Sequence, residues 1–299
     1  ELLMPKFWGR KNETVILLSM DNRRKVLNCS VICEGSVNAT QVSLRLILQQ
    51  ALRDKCREVG VDFLSTPFDR TAVDFLEDLD VEFYKIASFE LVDIPLIEYT
   101  ASKGKPMIMS CGMASEEEIK EALEACRRQG NEQVVLLKCC SQYPAQYEDM
   151  NVSVIPDMKE RFGVPVGLSD HSMGSLADVV AVSLGAQVIE KHVCLDRTID
   201  NPDAAFSMEI GEFAQMVQDV RNACVIKGKA TYELTEHEKS SLKYRRSLVA
   251  VKPIAEGEAF TEENVRSIRP AIGIKPKYYR TLLGRKAKKA YRFGADSSG

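Results

Sequence analysis

The 299-residue chain has no uninterrupted apolar run approaching the roughly 18 residues of a membrane span. G-x-G-x-x-G and P-loop patterns are absent, which removes the usual signatures of dinucleotide and nucleotide binding. There is no C-x-x-C and no Cys/His set at zinc-finger spacing. Neither sign of charge dominates. Lys plus Arg number 40 against 43 Asp plus Glu, a formal net charge of −3, so no basic excess marks a dedicated nucleic-acid binder. With 17 Gly and 11 Pro the chain is too poor in both for a fibrous or disordered polymer. Histidine is scarce, at three: His171, His192 and His237.

Nor is there a secretory signal pattern. Val15–Met20 is the one apolar stretch near the start, and Asp21 and a basic run follow it. Nine cysteines (29, 33, 56, 111, 126, 139, 140, 194 and 224) fall at irregular spacing, partly inside apolar runs. An odd count so placed reads as free thiols in a reducing compartment, and cytoplasm is the expected location. In such a chain the N-x-S/T sequons at Asn12, Asn28, Asn38 and Asn151 read as chance. Composition predicts a soluble globular chain with no membrane and no nucleic-acid partner.

From residue 61 the pattern becomes regular. Short β-rich segments are expected at Val61–Thr66, Glu82–Ala87, Pro106–Cys111, Gln133–Cys140, Val164–Ser169 and Gln187–Cys194. Their starts lie 21, 24, 27, 31 and 23 residues apart, the spacing of repeated βα units. Helical patterns fill the gaps at Thr71–Leu79, Pro95–Ser102, Ser115–Arg128, Val154–Arg161 and Ser175–Leu184, with a further helix at Ile210–Ala223. Ser115 and Glu118 form a capping-box pair. Such repeats build either a barrel of eight units or an open doubly wound sheet. Residues 227–243 read as a polar linker, 244–292 as a small β-rich domain and 293–299 as a disordered Gly/Ser/Asp tail.

What ends each strand is informative. The ends read Ser65-Thr66-Pro67, Lys85-Ile86-Ala87-Ser88, Ser110-Cys111-Gly112, Lys138-Cys139-Cys140-Ser141, Ser169-Asp170-His171 and Glu190-Lys191-His192. In βα barrels the C-terminal strand ends carry the active site. Any one of these residues has a plain structural explanation: a snorkelling Lys85, serines that cap the next helix, a core histidine at 192. Six successive strands delivering hydroxyls, Lys or His to one face are harder to attribute to stability. Small hydroxyls, glycine and a lysine make a phosphate or carboxylate cradle. Two imidazoles on that face suit an exchangeable divalent cation, Mn²⁺ or Mg²⁺, with other positions left to water and substrate. His237 lies in the linker and receives no role.

Phe63-Leu-Ser-Thr-Pro-Phe68, Tyr84-Lys-Ile-Ala-Ser88, Met109-Ser-Cys-Gly-Met113, Gly167-Leu-Ser-Asp-His171 and Glu190-Lys-His192 together resemble the sialic acid synthase family. Asp200-Asn-Pro-Asp-Ala-Ala-Phe-Ser-Met208 and Phe83-Tyr-Lys-Ile-Ala-Ser-Phe-Glu-Leu91 resemble its pseudaminic acid branch. Arg246–Val251 and Ser267-Ile-Arg-Pro270 resemble the family's antifreeze-like (SAF) C-terminal domain. The likeness spans residues 48 to 290. It implies an α/β fold, a TIM-type (β/α)8 barrel over residues 1–226 followed by the SAF domain.

The implied reaction condenses phosphoenolpyruvate with an open-chain N-acetylated hexose, releasing phosphate and giving a nine-carbon sugar acid. By the same resemblance, Thr66, Lys85, Ser88, Ser110 and Ser169 hold phosphoenolpyruvate, and His171 and His192 bind the metal. Glu90 and Asp203 hold sugar hydroxyls, Tyr143 shapes the pocket, and Arg269 reaches a neighbouring subunit's site in a domain-swapped homodimer. Glu90, Asp203 and Arg269 are the expected catalytic set.

The first 45 residues depart from the family pattern. The family's Glu-Ile-Gly-x-Asn-His-Asn-Gly strand end is matched only by Glu34-Gly-Ser-Val-Asn38, without the histidine, and its Lys-Phe-Gln strand end has no counterpart. Val15–Met20 and Ser30–Glu34 both have strand character, yet too few residues separate them for a parallel crossover. The expectation is a barrel abridged at its N-terminal side. Three functions compete: a synthase of the pseudaminic type, a synthase making N-acetylneuraminate or using another diacetylated hexose, and a ligand-binding relative impaired in catalysis.

Overall fold

A computed structural model describes residues 14–20, 25–34 and 44–294. The sequons at Asn12 and Asn38, residues 35–38 of the weak family likeness, and the tail from 295 onward lie outside the described residues. The chain divides into two compact units, 1–228 and 229–299.

The first unit opens with β1 (Thr14–Met20) and β2 (Val26–Glu34), paired antiparallel, followed by α1 (Leu44–Val59). With β2 beginning at Val26 the connection is far shorter than the dozen or so residues a parallel crossover needs, so the pair can only be a hairpin. Asp54 of α1 anchors it. This carboxylate is 4% exposed and accepts hydrogen bonds from Ser19, Asn28 and Gln50, at 2.5, 2.9 and 2.9 Å.

The repeating βα units come next. They are α2 (Arg70–Asp78), β3 (Tyr84–Ile86), α3 (Ile94–Ala101), β4 (Met107–Ser110), α4 (Glu116–Arg128), β5 (Val134–Cys139), α5 (Val154–Phe162), β6 (Val166–Asp170), α6 (Leu176–Ser183) and β7 (Ile189–Lys191). The five strands lie parallel in the order β3-β4-β5-β6-β7, each beside its successor in the chain, as consecutive strands of a TIM-type barrel do. Short strands β8 (Val193–Cys194) and β9 (Met208–Glu209) pair with each other, and α7 (Ile210–Lys227) ends the unit.

Val61–Thr66, expected to be a strand, carries no ladder pairing. Phe63 still packs against the core. A strand requires a hydrogen-bonded neighbour, but the preceding chain is drawn into the hairpin and β3 is only three residues long.

Local sequence explains the rest. Ser115 caps α4 by accepting from Glu118 N, while the Glu118 carboxylate accepts from Ser115 N at 2.7 Å. Acids fill the first turn and Arg127 and Arg128 the last, both favourable to the helix dipole. Its face of Ile119, Ala122, Leu123, Ala125 and Cys126 is buried. β4 and β5 contribute Met107, Met109, Leu136 and Leu137 to the core with no exposed surface, each side chain worth roughly 1.5–3 kcal/mol of burial. At Gly167 a Cβ would fall 2.3 Å from the Val188 carbonyl, so close β6–β7 packing excludes any side chain there.

The second unit contains α8 (Glu236–Ser241), which carries the exposed His237, and the antiparallel pair β10 (Ser247–Ala250) and β11 (Val265–Ile268), then α9 (Tyr279–Leu282). Leu248, Ile254, Phe260, Val265, Ala287 and Tyr291 form its core. No helix of the described residues is long and apolar enough to cross a membrane. The eight described cysteines are free thiols.

Candidate active site

Side chains alternate across a sheet, and the last three residues of the β6–β7 edge use that alternation. Ser169 is in register with Glu190, and Asp170 with Lys191. Ser169 Oγ donates to Glu190 Oε1 at 2.7 Å, and Glu190 Oε2 lies 3.4 Å from Lys85 Nζ. One step outward, His171 and His192 bring their ring centroids within 5.3 Å. The intervening pair, Asp170 and Lys191, points the other way into a fully buried contact with each other.

Lys85 is 5% exposed and donates to Ser110 Oγ at 2.8 Å and to the Ile86 carbonyl at 3.2 Å. Ser110 and Ser169 are each 2% exposed. Ser88, on the turn after β3, accepts from Gly112 N at 3.1 Å. A Cβ at Gly112 would meet Ser141 Oγ at 2.1 Å and Ser88 Oγ at 2.8 Å, so only glycine lets these hydroxyls converge. The strand ends therefore gather one ammonium, several hydroxyls and one carboxylate.

Beside this cradle, Tyr143 lies 4.2 Å from His171 and 5.7 Å from Phe206 between ring centroids, and Phe206 lies 5.0 Å from His192. His171 Nδ1 is 2.9 Å from the Cys140 carbonyl and 3.9 Å from Cys139 Sγ. Burial pushes the Cys139 thiol up, but His171, Ser88 and Ser141 outweigh it and bring it down to about 7. For His171, burial works against the charged form, yet Cys139 and the Cys140 carbonyl leave its pKa raised. His192 is lowered by burial and by His171, against the pull of Asp203 and Glu190.

Both imidazoles turn Nδ1 toward an acceptor: the Cys140 carbonyl for His171, and Asp203 Oδ2 at 3.8 Å for His192. Metal-bound histidines are commonly oriented this way, with the other nitrogen kept as the donor to the cation. Among the described residues no cluster of three or more His, Cys, Asp or Glu side chains has metal-binding geometry. The donor set thus fits a cation held by two imidazoles and open elsewhere.

The other expected residues are placed as follows. Thr66 is half-buried between α1 and α2. Glu90 ends the turn after β3, and its Oε2 is buried with no hydrogen-bond partner, an acceptor that still requires a donor. Asp203 lines a cavity of about 360 Å³ with His192, Cys194, Asn201 and Ser207. Arg269 is exposed at the end of β11 in the second unit. Glu190, Asp170, Lys191 and Asp178 received no role from sequence. For the first three the signal was the alternation of Ser-Asp-His against Glu-Lys-His, legible only once the two strands are set in register; Asp178 lies in the first turn of α6, outside that pattern.

A parallel βα sheet with its polar groups gathered at the carboxyl ends of the strands is the enzyme architecture of TIM-type barrels. The NeuB family matches residues 33–232 and the SAF domain residues 245–292. A pseudaminic acid synthase from Campylobacter jejuni is 46% identical over 235 residues, covering 79% of this chain and 68% of that protein. A pseudaminic acid synthase from Helicobacter pylori is 41% identical over 239 residues, covering 80% and 70%. Among solved structures, N-acetylneuraminic acid synthetase from Leptospira borgpetersenii, in complex with citrate, superposes with a TM-score of 0.61. It is 34% identical and covers 64% of this chain and 67% of that one. The chain belongs to the NeuB family and carries a SAF domain.

A RadC-like JAB domain matches residues 1–61, overlapping the start of the NeuB match. This agrees with the antiparallel hairpin, which is no part of a βα barrel unit, and with the missing likeness to the family's first two strand ends.

Proposed function

We propose that the chain condenses phosphoenolpyruvate with an open-chain N-acetylated hexose of the pseudaminic acid pathway type, forming a nonulosonic acid and releasing phosphate. The observation that carries this reading is the convergence of Lys85, Ser88, Ser110 and Ser169 beside the His171–His192 pair.

Lys85 and the three serines offer a cation and hydroxyl donors to the phosphate and carboxylate of phosphoenolpyruvate. Thr66, from its half-buried segment, adds a further hydroxyl. His171 and His192 hold Mn²⁺ or Mg²⁺, which when bound supplies Lewis acidity toward the sugar aldehyde. The enol carbon bonds to the aldehyde carbon, water adds at the adjacent carbon, and the bond from that carbon to the phosphate oxygen breaks. Glu90, with an unpartnered buried oxygen, and Asp203, beside His192, accept hydrogen bonds from sugar hydroxyls. Half-exposed Tyr143 and buried Phe206 wall the pocket beside the two imidazoles.

Arg269 acts from a second copy in a domain-swapped homodimer. Charge supports this: residues 229–299 carry 16 Lys and Arg against 8 Asp and Glu, whereas residues 1–228 carry 24 against 35. A basic module on one copy suits the acidic barrel of another. The free thiols suit a cytoplasmic setting.

The test is phosphate release from phosphoenolpyruvate with Mn²⁺ and a panel of N-acetylated hexoses. Turnover with the diacetylated precursor of pseudaminic acid supports the reading. Turnover with N-acetylmannosamine instead makes the chain an N-acetylneuraminate synthase. A second reading, a ligand-binding relative impaired in catalysis, is favoured by the RadC-like match over residues 1–61. Phosphoenolpyruvate binding without turnover on any sugar would establish it.

A further inference from the structure

The Asp170–Lys191 pair faces away from the cradle and touches none of the groups assigned to substrate. Both side chains are buried, at 0% and 1% exposure. Lys191 Nζ contacts Asp170 Oδ2 and donates to the carbonyls of Ser172 and Gly174, at 2.6 and 2.8 Å. Asp170 Oδ1 accepts from Ser172 N at 2.7 Å. The residue before His192 is thus tied to the residue before His171 and to the backbone just after it. A lysine ammonium has three donors, and here all three are spent on these acceptors.

Replacing a buried ion pair by apolar residues of similar volume is often neutral or stabilising, so stability alone is a weak reason for this one. What the pair adds is direction. Its bonds fix how far the backbones bearing the two imidazoles stand apart and how the chain turns away after His171. Ala145 N donates to the His171 carbonyl at 3.0 Å, and Tyr147 Oη to the Met173 carbonyl at 2.8 Å, so the far side of the same loop is held too.

We propose that Asp170 and Lys191 are positioning residues that set the approach of His171 and His192 to one divalent cation. This rests on the metal reading above. The experiment is a Mn²⁺ titration of the full chain, freed of metal and without substrate, following free Mn²⁺ by its electron paramagnetic resonance. Inorganic phosphate affinity is measured alongside. Asp170→Asn keeps the shape of the side chain and should weaken Mn²⁺ binding about tenfold, the low end of the loss seen when a group hydrogen-bonded directly to a metal ligand is removed, because Asp170 acts on the imidazoles through the backbone. Phosphate affinity should stay unchanged. Lys191→Met should behave alike. If that variant fails to fold, Asp170→Asn decides. Asp178→Asn, in the same buried cluster but 3.9 Å from Lys191, should leave Mn²⁺ affinity unaltered.

A folded Asp170→Asn protein that binds Mn²⁺ within twofold of the parent overturns the proposal. So does a parallel loss of phosphate affinity, which would mean general damage. If His171→Ala binds Mn²⁺ as tightly as the parent, the metal reading itself fails and the positioning role falls with it. Loss of binding in His171→Ala with none in Asp170→Asn leaves the metal reading standing and removes only this inference.

Discussion

Lys85 donates a 2.8 Å hydrogen bond to Ser110, the end of the neighbouring strand, and both side chains are almost fully buried. The ammonium lies also within 3.4 Å of Glu190, whose other oxygen takes the Ser169 hydroxyl. A buried lysine that, among the described residues, meets one carboxylate and one serine hydroxyl is arranged for an anionic guest. Lys85→Met should lower kcat/KM by at least about 10²–10³-fold, the scale of losing one preorganised donor to developing charge. Steady-state phosphate release measures this; a change below tenfold would remove Lys85 from the cradle.

Gly112→Ala places a methyl where Ser141 Oγ and Ser88 Oγ now lie, at 2.1 and 2.8 Å. One of these hydroxyls must move, and Ser88 would lose its bond from Gly112 N. The expected destabilisation is about 1–3 kcal/mol, as for other overpacked sites, with a larger proportional loss of phosphoenolpyruvate affinity. Thermal melting and ligand titration on the same protein test both halves.

The Asp178 carboxylate is fully buried with neither oxygen hydrogen-bonded, and Lys191 Nζ, 3.9 Å away, is already bonded to Asp170. Burial and the neighbouring Asp170 charge push it up to about 8 from an ordinary 3.8. An acid with a raised folded pKa binds its proton more tightly when folded. Its contribution is therefore fully present below about 3.8 and is lost as pH rises through about 8. Asp178→Asn removes that dependence. The variant should melt increasingly above the parent between pH 4 and 8, with the gap constant at higher pH. A gap that shrinks as pH rises would contradict the assignment.

Much of this was legible beforehand because local chemistry and tertiary packing agree. Ser115 and Glu118 announced the start of α4, and the apolar runs of β4 and β5 announced strands covered on both faces. The polar strand ends led to Lys85, Ser88, Ser110, Ser169, His171 and His192, which the structure gathers at one face. Val61–Thr66 was misread because β-propensity says nothing about whether a neighbour is present to pair with. Asp178 was invisible for a similar reason. In the first turn of a helix an acid reads as a favourable dipole contact, and only the packing of α6 against β6 and β7 buries it. The hairpin was legible as two strands too close together for a parallel crossover; the structure adds that β2 starts earlier, at Val26.

His171→Ala and His192→Ala should each abolish Mn²⁺-dependent turnover while leaving the far-UV circular dichroism spectrum unchanged. Both rings are packed among Tyr143 and Phe206, so a collapse of the fold in both variants would instead mark them as core histidines. Chelation of the parent protein should stop turnover reversibly, with activity restored by Mn²⁺.

Arg269 stands exposed at the end of β11, in the basic unit of the chain. If it serves the site of a second copy, two inactive variants should rescue each other. A His171→Ala subunit supplies an intact Arg269, and an Arg269→Ala subunit supplies an intact metal pair. In a mixed dimer one of the two sites is then complete and the other doubly defective. Random reassortment makes half the dimers mixed, so about a quarter of parental activity should return on unfolding and refolding the two together, as closed two-fold symmetry requires. If Arg269 acted within its own subunit, no combination would regain a complete site, and the refolded mixture would stay as inactive as its parts.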